Sequence, residues 1–277
     1  MEIALPVFTP LTIVAGRMVV AATMLNIVVW QMRSRYVQAH KQITLLTWIQ
    51  CAGLSLLSNL IPFGLVVWGQ QYISASLASI LVAAAPVFTV VLATLWKQEK
   101  VTLARSLGVT LGFAGVVVLV GPSVLRGFSL RGAGELAILG AALSYAFAGF
   151  AGQRFSHLPP LLISRMTVTM GTLMVLPVAL SRRPITAEIS LTATLAVIAL
   201  GVFSTGLAYI IFYRLLSEAG VLNTSLVSFL VPITAVILGT VVLQERVNGA
   251  QLLGMGFILS GLAVLDGRLA NKMKMFS

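Results

Sequence analysis

Inside otherwise apolar blocks of this chain stand a few side chains able to recognise a polar molecule. They are Asn59, Trp68, Gln71 and Ser79 in the first half, and Ser144, Tyr145, Tyr209, Asn223 and Ser228 in the second. Their chemistry is hydrogen bonding and stacking: amides and hydroxyls suit the polar end of a zwitterionic or amphipathic solute, while Trp and Tyr suit its apolar part. The structural alternative, interhelical hydrogen bonding and small-residue packing, draws on the same residue types. Catalysis finds little to stand on. The only two histidines, His40 and His157, fall in connectors, so no metal centre assembles and no cofactor is implied. All seven acidic residues lie at or near the ends of apolar blocks, which leaves no mid-block carboxylate of the kind a proton relay uses. Cys51, the single cysteine, sits within an apolar block and reads as a small hydrophobe. No GxxxxGK loop is present to cradle nucleotide phosphates.

The blocks that position these residues are long. Of 277 residues 58% are hydrophobic and 9% charged, too few charges to cover a soluble domain. Apolar stretches of about 18–25 residues suffice to cross ~30 Å of hydrocarbon as helices. Nine spans are predicted, at about 9–31, 44–69, 75–96, 103–121, 133–153, 159–180, 192–213, 221–243 and 250–266. The fold class is therefore all-α, a polytopic membrane bundle. The net charge of +11 comes from basic residues in short connectors, without the aromatic interleaving of a nucleic-acid groove, so lipid and not nucleic acid is the expected polyanion. Alternate connectors divide the Lys and Arg residues roughly two to one, which places the richer side and the C-terminus in the cytoplasm.

The chain also repeats itself. APVFTVVLATLWKQEK at 85–100 and VPITAVILGTVVLQER at 231–246 align with an offset of 146, pairing Pro86 with Pro232, Glu99 with Glu245, Gly108 with Gly254 and Gly115 with Gly261. Arg17 pairs with Arg165 at an offset of 148. Equivalent helices are five crossings apart, an odd number, so the copies run oppositely through the bilayer, an arrangement recurrent in secondary transporters. The fifth span has no earlier counterpart. A ten-helix, five-plus-five design lacking its first helix in this sequence accounts for that. The repeats are 1–121 and 133–266, followed by a tail at 267–277 expected in the cytoplasm.

Within that design Pro86 and Pro232 are hinge candidates, because each removes a backbone donor inside a helix. Arg17 and Arg165 enter as gate or structural charges at some depth in their helices, with snorkelling to headgroups as the plainer account. Glu99 and Glu245 end their helices beside basic residues, where local ion pairing is the first expectation.

The duplicated stretches YISASLASILVAAAPVFTVVLATLWKQEKVTLARSLGVTLGFAGVVVLV and AGVLNTSLVSFLVPITAVILGTVVLQERVNGAQLLGMGFILSGLAVL, together with GELAILGAALSYAFAG, resemble the drug/metabolite transporter superfamily, specifically its EamA-type family. That resemblance implies ten helices, alternating access, and import or export of small metabolites such as amino acids. The resulting expectation is a secondary transporter in the inner or plasma membrane, with a small-molecule solute and lipid as partners and a homodimer as an admissible assembly. A non-transporting scaffold subunit and a membrane-embedded lipid enzyme are the alternatives; the enzyme would need a convergent acid/base or metal set.

Overall fold

A computed structural model describes residues 8–96, 102–125, 129–181, 190–242 and 248–266. They are helical with short connectors: α1 (Pro10–Gln31), α2 (Leu45–Gly69), α3 (Ala75–Leu95), α4 (Leu103–Leu125), α5 (Leu130–Gln153), α6 (Pro160–Leu180), α7 (191–219), α8 (221–242) and α9 (Gly249–Asp266). Six helical stretches are long and apolar enough to cross a membrane, among them α1, α2, α3, α5 and α6, and Ser106–Leu119 and Gly249–Gly261 are shorter apolar helices. Phe203, Leu253 and Ile211 turn outward, exposed by half or more. A soluble protein would place charge there, whereas hydrocarbon accepts these side chains.

Local signals set the helix ends. Thr9 caps α1 and Pro10 opens it, while Pro160 opens α6, both at positions whose N–H has no helical acceptor to lose. Thr44 and Thr47 cap each other's backbone at the start of α2. The sixfold apolar pattern does not distinguish α7 from α8, which run together as Leu191–Ser225 but for one residue. Gly220 breaks them with φ 76° and ψ 175°, a region that only glycine enters without strain. The seventh helix also outlasts its predicted end at 213, and Arg214 and Glu218 pair at 2.9 Å across its last turn.

Contacts divide the chain into two compact units. One holds Met1–Gly64 with Phe150–Gly220, the other Leu65–Gly149 with Val221–Ser277. Each unit thus draws helices from both sequence repeats, so repetition along the chain and compactness in space cut the molecule differently.

In the first unit α1 and α6 pack side by side through Ala21, Ala22, Leu25, Leu161, Leu162 and Val168. The Thr172 hydroxyl donates to the Met18 carbonyl at 3.1 Å, whereas Asn26 meets Arg165 and Thr169. Rising numbers on α1 face falling numbers on α6, so the two are antiparallel.

In the second unit α4 and α9 cross at glycines. A Cβ on Gly115 would lie 2.7 Å from the Gly254 carbonyl oxygen, and one on Gly261 would lie 2.6 Å from that of Gly108. The backbones touch, and the pairing order is again antiparallel. Exchanging each glycine for its counterpart 146 positions away turns the first contact into the second. The core of this unit gathers Leu77, Ile80, Leu81, Val87, Leu119, Ile138 and Ile258.

The hinge candidates sit just after breaks in α geometry. Pro86 is the second residue of Ala85–Leu95, and the helix before it, Ala75–Val82, ends at a tight turn where the Ala84 N–H bonds the Leu81 carbonyl at 3.1 Å. Pro86 has no N–H for Val82, so α3 divides where the helical ladder loses its rung. In α8 a 3-10 stretch, Leu226–Phe229, precedes Leu230–Val242, which contains Pro232. A turn thus divides α3 before Pro86, whereas α8 stays helical through its 3-10 stretch before Pro232.

Candidate functional site

Polar side chains converge inside the first unit at two places where helices depart from α geometry. In α2 the stretch Leu56–Leu60 is a π-turn, and the Ile61 N–H reaches back five residues to Leu56. Pro62 explains it: without an N–H it cannot bond the Ser58 carbonyl, and its ring pushes that carbonyl aside. In α7 the stretch Val202–Leu207 is a second π-turn, where the Ala208 N–H turns to Phe203 and Thr205 and passes over Ser204. Each turn therefore releases a serine carbonyl, Ser58 in one and Ser204 in the other, and these serines stand 146 positions apart.

Side chains fill both vacancies. The Tyr209 hydroxyl lies 2.9 Å from the Ser58 carbonyl and 2.7 Å from Asn59 Oδ1, sharing its proton between them. Asn59 is fully buried and spends its amide donors on Ser55 Oγ and Ser58 Oγ, each at 3.1 Å. At the other turn Arg17 Nε donates to Thr205 Oγ1 at 2.9 Å, and its Nη2 donates to the Ser204 carbonyl and hydroxyl at 3.2 Å. Its guanidinium lies over the Phe63 ring, 4.6 Å from the centroid. An arginine within an apolar helix is costly unless its donors are met, and these contacts meet them within the protein.

Arg165 is held differently. Its Nε donates to Asn26 Oδ1 at 2.8 Å, and its guanidinium carbon is 5.7 Å from the Trp48 ring centroid. The Asn26 amide in turn donates to Thr169 Oγ1 and to the Ala22 carbonyl. Both arginines thus tie helices together: Arg17 joins α1 to α7, and Arg165 joins α6 to α1.

All four of Asn59, Tyr209, Arg17 and Arg165 lie in the first unit, where Asn59 and Tyr209 touch, Arg17 holds the second π-turn and Arg165 stands apart at Asn26. The other solute candidates belong to the second. There Trp68 is partly exposed with its ring edge-on to Tyr72 at 5.2 Å, Gln71 and Asn223 are exposed, and Tyr145 and Ser228 are half-buried. Ser144 is buried, and the Ser79 hydroxyl donates to the Ser76 carbonyl at 2.7 Å. Glu99 and Glu245 lie outside the described residues. Glu135, read as a span-end carboxylate, is fully buried near the start of α5 and pairs with Arg131 at 3.3 Å.

Sequence reasoning missed Asn26, Trp48, Phe63 and Thr205. The repeat offset held a signal for two of them: 146 positions separate Phe63 from Tyr209 and Asn59 from Thr205. Among the described residues no three His, Cys, Asp or Glu side chains come together to hold a metal. What the site offers is neutral and cationic hydrogen-bond donors, carbonyl acceptors and aromatic faces.

Known proteins agree with a membrane carrier. The "Uncharacterized transporter YoaV" of Bacillus subtilis is 26% identical over 211 residues, 76% of this chain and 72% of that protein. The "Probable amino-acid metabolite efflux pump" of Salmonella typhimurium is 28% identical over 200 residues, 69% and 67% respectively. One solved crystal structure superposes with a TM-score of 0.70 over 96% of this chain and 90% of the other at 19% identity, a likeness of fold. The model of the EamA-like transporter family matches residues 1–121 and 132–265. This integral membrane protein belongs to the EamA-like transporter family.

Proposed function

We propose that the chain is a secondary transporter that moves a small polar or amphipathic metabolite of amino-acid type across the inner or plasma membrane by alternating access, with its C-terminus in the cytoplasm. One observation carries this reading: each π-turn is latched by a side chain of the other sequence repeat. Tyr209 of the second repeat holds the Ser58 turn of the first, and Arg17 of the first holds the Ser204 turn of the second. Two latches exchanged by an inverted repeat are the parts that two alternating gates need. The antiparallel pairs α1/α6 and α4/α9, the latter with its reciprocal glycine contacts, support the same inversion.

The chemistry follows. A solute carboxylate competes for the guanidinium groups of Arg17 and Arg165, and a solute amine competes for the acceptors at Ser58 and Asn59. Tyr209, Phe63 and Trp48 border it with rings. A π-turn has one carbonyl outside the helical ladder, so breaking its latch disturbs α2 or α7 without unwinding the helix. Pro86 and Pro232, beside their breaks, serve as hinges for the rocking motion. The Salmonella typhimurium relative, named for efflux of amino-acid metabolites, supports the solute class.

The test is flux in liposomes carrying the purified full chain, screened with labelled neutral, basic and acidic amino acids. Saturable accumulation of at least one, reduced in Tyr209→Phe and Arg17→Lys, is expected. Folded protein that moves none of them above empty liposomes refutes the proposal.

A further inference from the structure

Next to the first π-turn, which contributes Leu57, the first unit contains a cavity of about 350 Å³ lined by Thr47, Gln50, Gly53 and Leu54 of α2 and, opposite them, by Arg154 and His157. From this set we infer a binding site for the phosphate headgroup of an anionic membrane phospholipid. Thr47, Gln50, Leu54 and Leu57 form one stripe down α2, polar at the helix start and apolar toward its middle. Facing them, Arg154 and His157 come from the α5–α6 connector. Three backbone bonds at 2.9–3.0 Å, from Phe155 to Gly152, Ser156 to Gln153 and Leu158 to Phe155, fix that connector, and buried Phe155 anchors it.

Among the described residues the lining contains no carboxylate, so the Arg154 guanidinium presents its charge to the cavity uncancelled by an acidic wall, with the His157 ring beside it as a hydrogen-bonding group. The volume suits a headgroup and is too large for a single water. The polar-to-apolar gradient along α2 matches an amphiphile whose head stays at the interface while its chains run inward. Basic recesses between helices at the membrane surface bind anionic headgroups by this combination of charge and depth. A free phosphate-bearing solute shares the head chemistry but has no use for the Leu54–Leu57 floor. The site is separate from the proposed solute contacts, and binding can be read without measuring flux.

Two variants attack the site by different means. Arg154→Gln with His157→Gln removes the basic groups. Gly53→Leu fills the space: a Cβ at Gly53 meets no heavy atom within 4 Å, so the side chain enters without displacing backbone. The full chain is titrated in detergent with phosphatidylglycerol and with phosphatidylcholine of identical chains, and bound lipid is counted by native mass spectrometry. The unaltered protein should prefer phosphatidylglycerol. The double variant should lose about five- to tenfold in affinity for it, and Gly53→Leu should lose a comparable amount with the charge unchanged. Equal binding of the two lipids, or phosphatidylglycerol binding unchanged in variants with native elution volumes, overturns the inference. Displacement of the lipid by millimolar inorganic phosphate overturns it too, in favour of a soluble phosphate ligand.

Discussion

Gly261 and Gly256 lie on the same helix, α9, and offer a paired test of how α4 and α9 meet. A Cβ on Gly261 would sit 2.6 Å from the Gly108 carbonyl oxygen and 2.7 Å from the Gly112 nitrogen, whereas one on Gly256 meets nothing within 4 Å. Ordinary contact begins near 3.4 Å, so Gly261→Ala must part the helices locally by about 0.8 Å. The obstructing atoms are backbone, and no rotamer change relieves them. Overpacking of this kind costs ~1–3 kcal/mol. Replacing a helical glycine by alanine returns up to ~1 kcal/mol of propensity at either position. That gain cancels between the two variants, so their difference isolates packing. Gly261→Ala should be less stable than Gly256→Ala by ~2 kcal/mol, read by unfolding in mixed micelles of increasing SDS content. Gly115→Ala should behave like Gly261→Ala, and the double variant should cost less than the sum, because the first alanine already opens the shared interface. Equal unfolding midpoints for Gly261→Ala and Gly256→Ala would refute the close crossing.

Three further outcomes follow from the first unit. Tyr209→Phe strips the hydroxyl from the Ser58 turn and should cost ~1 kcal/mol in the same unfolding experiment while lowering flux. Pro62→Ala restores an N–H to the Ser58 carbonyl, so stability should hold or rise while transport falls; slow hydrogen exchange at the new amide would mark the closed ladder, and rapid exchange would contradict it. Gly220→Ala places a Cβ on backbone at φ 76° and should lower the unfolding free energy by ~1–3 kcal/mol, whereas an unchanged midpoint contradicts the break.

Much of the architecture was legible because hydrocarbon thickness sets span length, so apolar blocks such as 9–31 and 159–180 predicted α1 and α6 closely. The break before Pro86 was legible, since a missing N–H removes a rung of the helical ladder, yet Pro177 lies inside α6 without ending it. The π-turns were not legible. Pro62 signals a disturbance but not which neighbouring hydrogen bonds replace the lost one, and the second turn has Ala208 at that place. Asn59 and Tyr209 were picked separately as polar residues inside apolar spans. Their direct contact depends on how α2 and α7 pack, which periodicity leaves open. Arg17 and Arg165 show the same limit: an equivalent position in the repeat predicted equivalent depth, yet one binds a π-turn and the other an asparagine.

Opposite threading of the two repeats is what every gate and latch above requires. Single cysteines replacing Glu99 and Glu245 in turn, in a Cys51→Ala chain reconstituted with known sidedness, test it with a membrane-impermeant maleimide. Reaction of the Glu99 position from the cytoplasmic face and of the Glu245 position from the opposite face is the predicted result. Labelling of both from one face would contradict it.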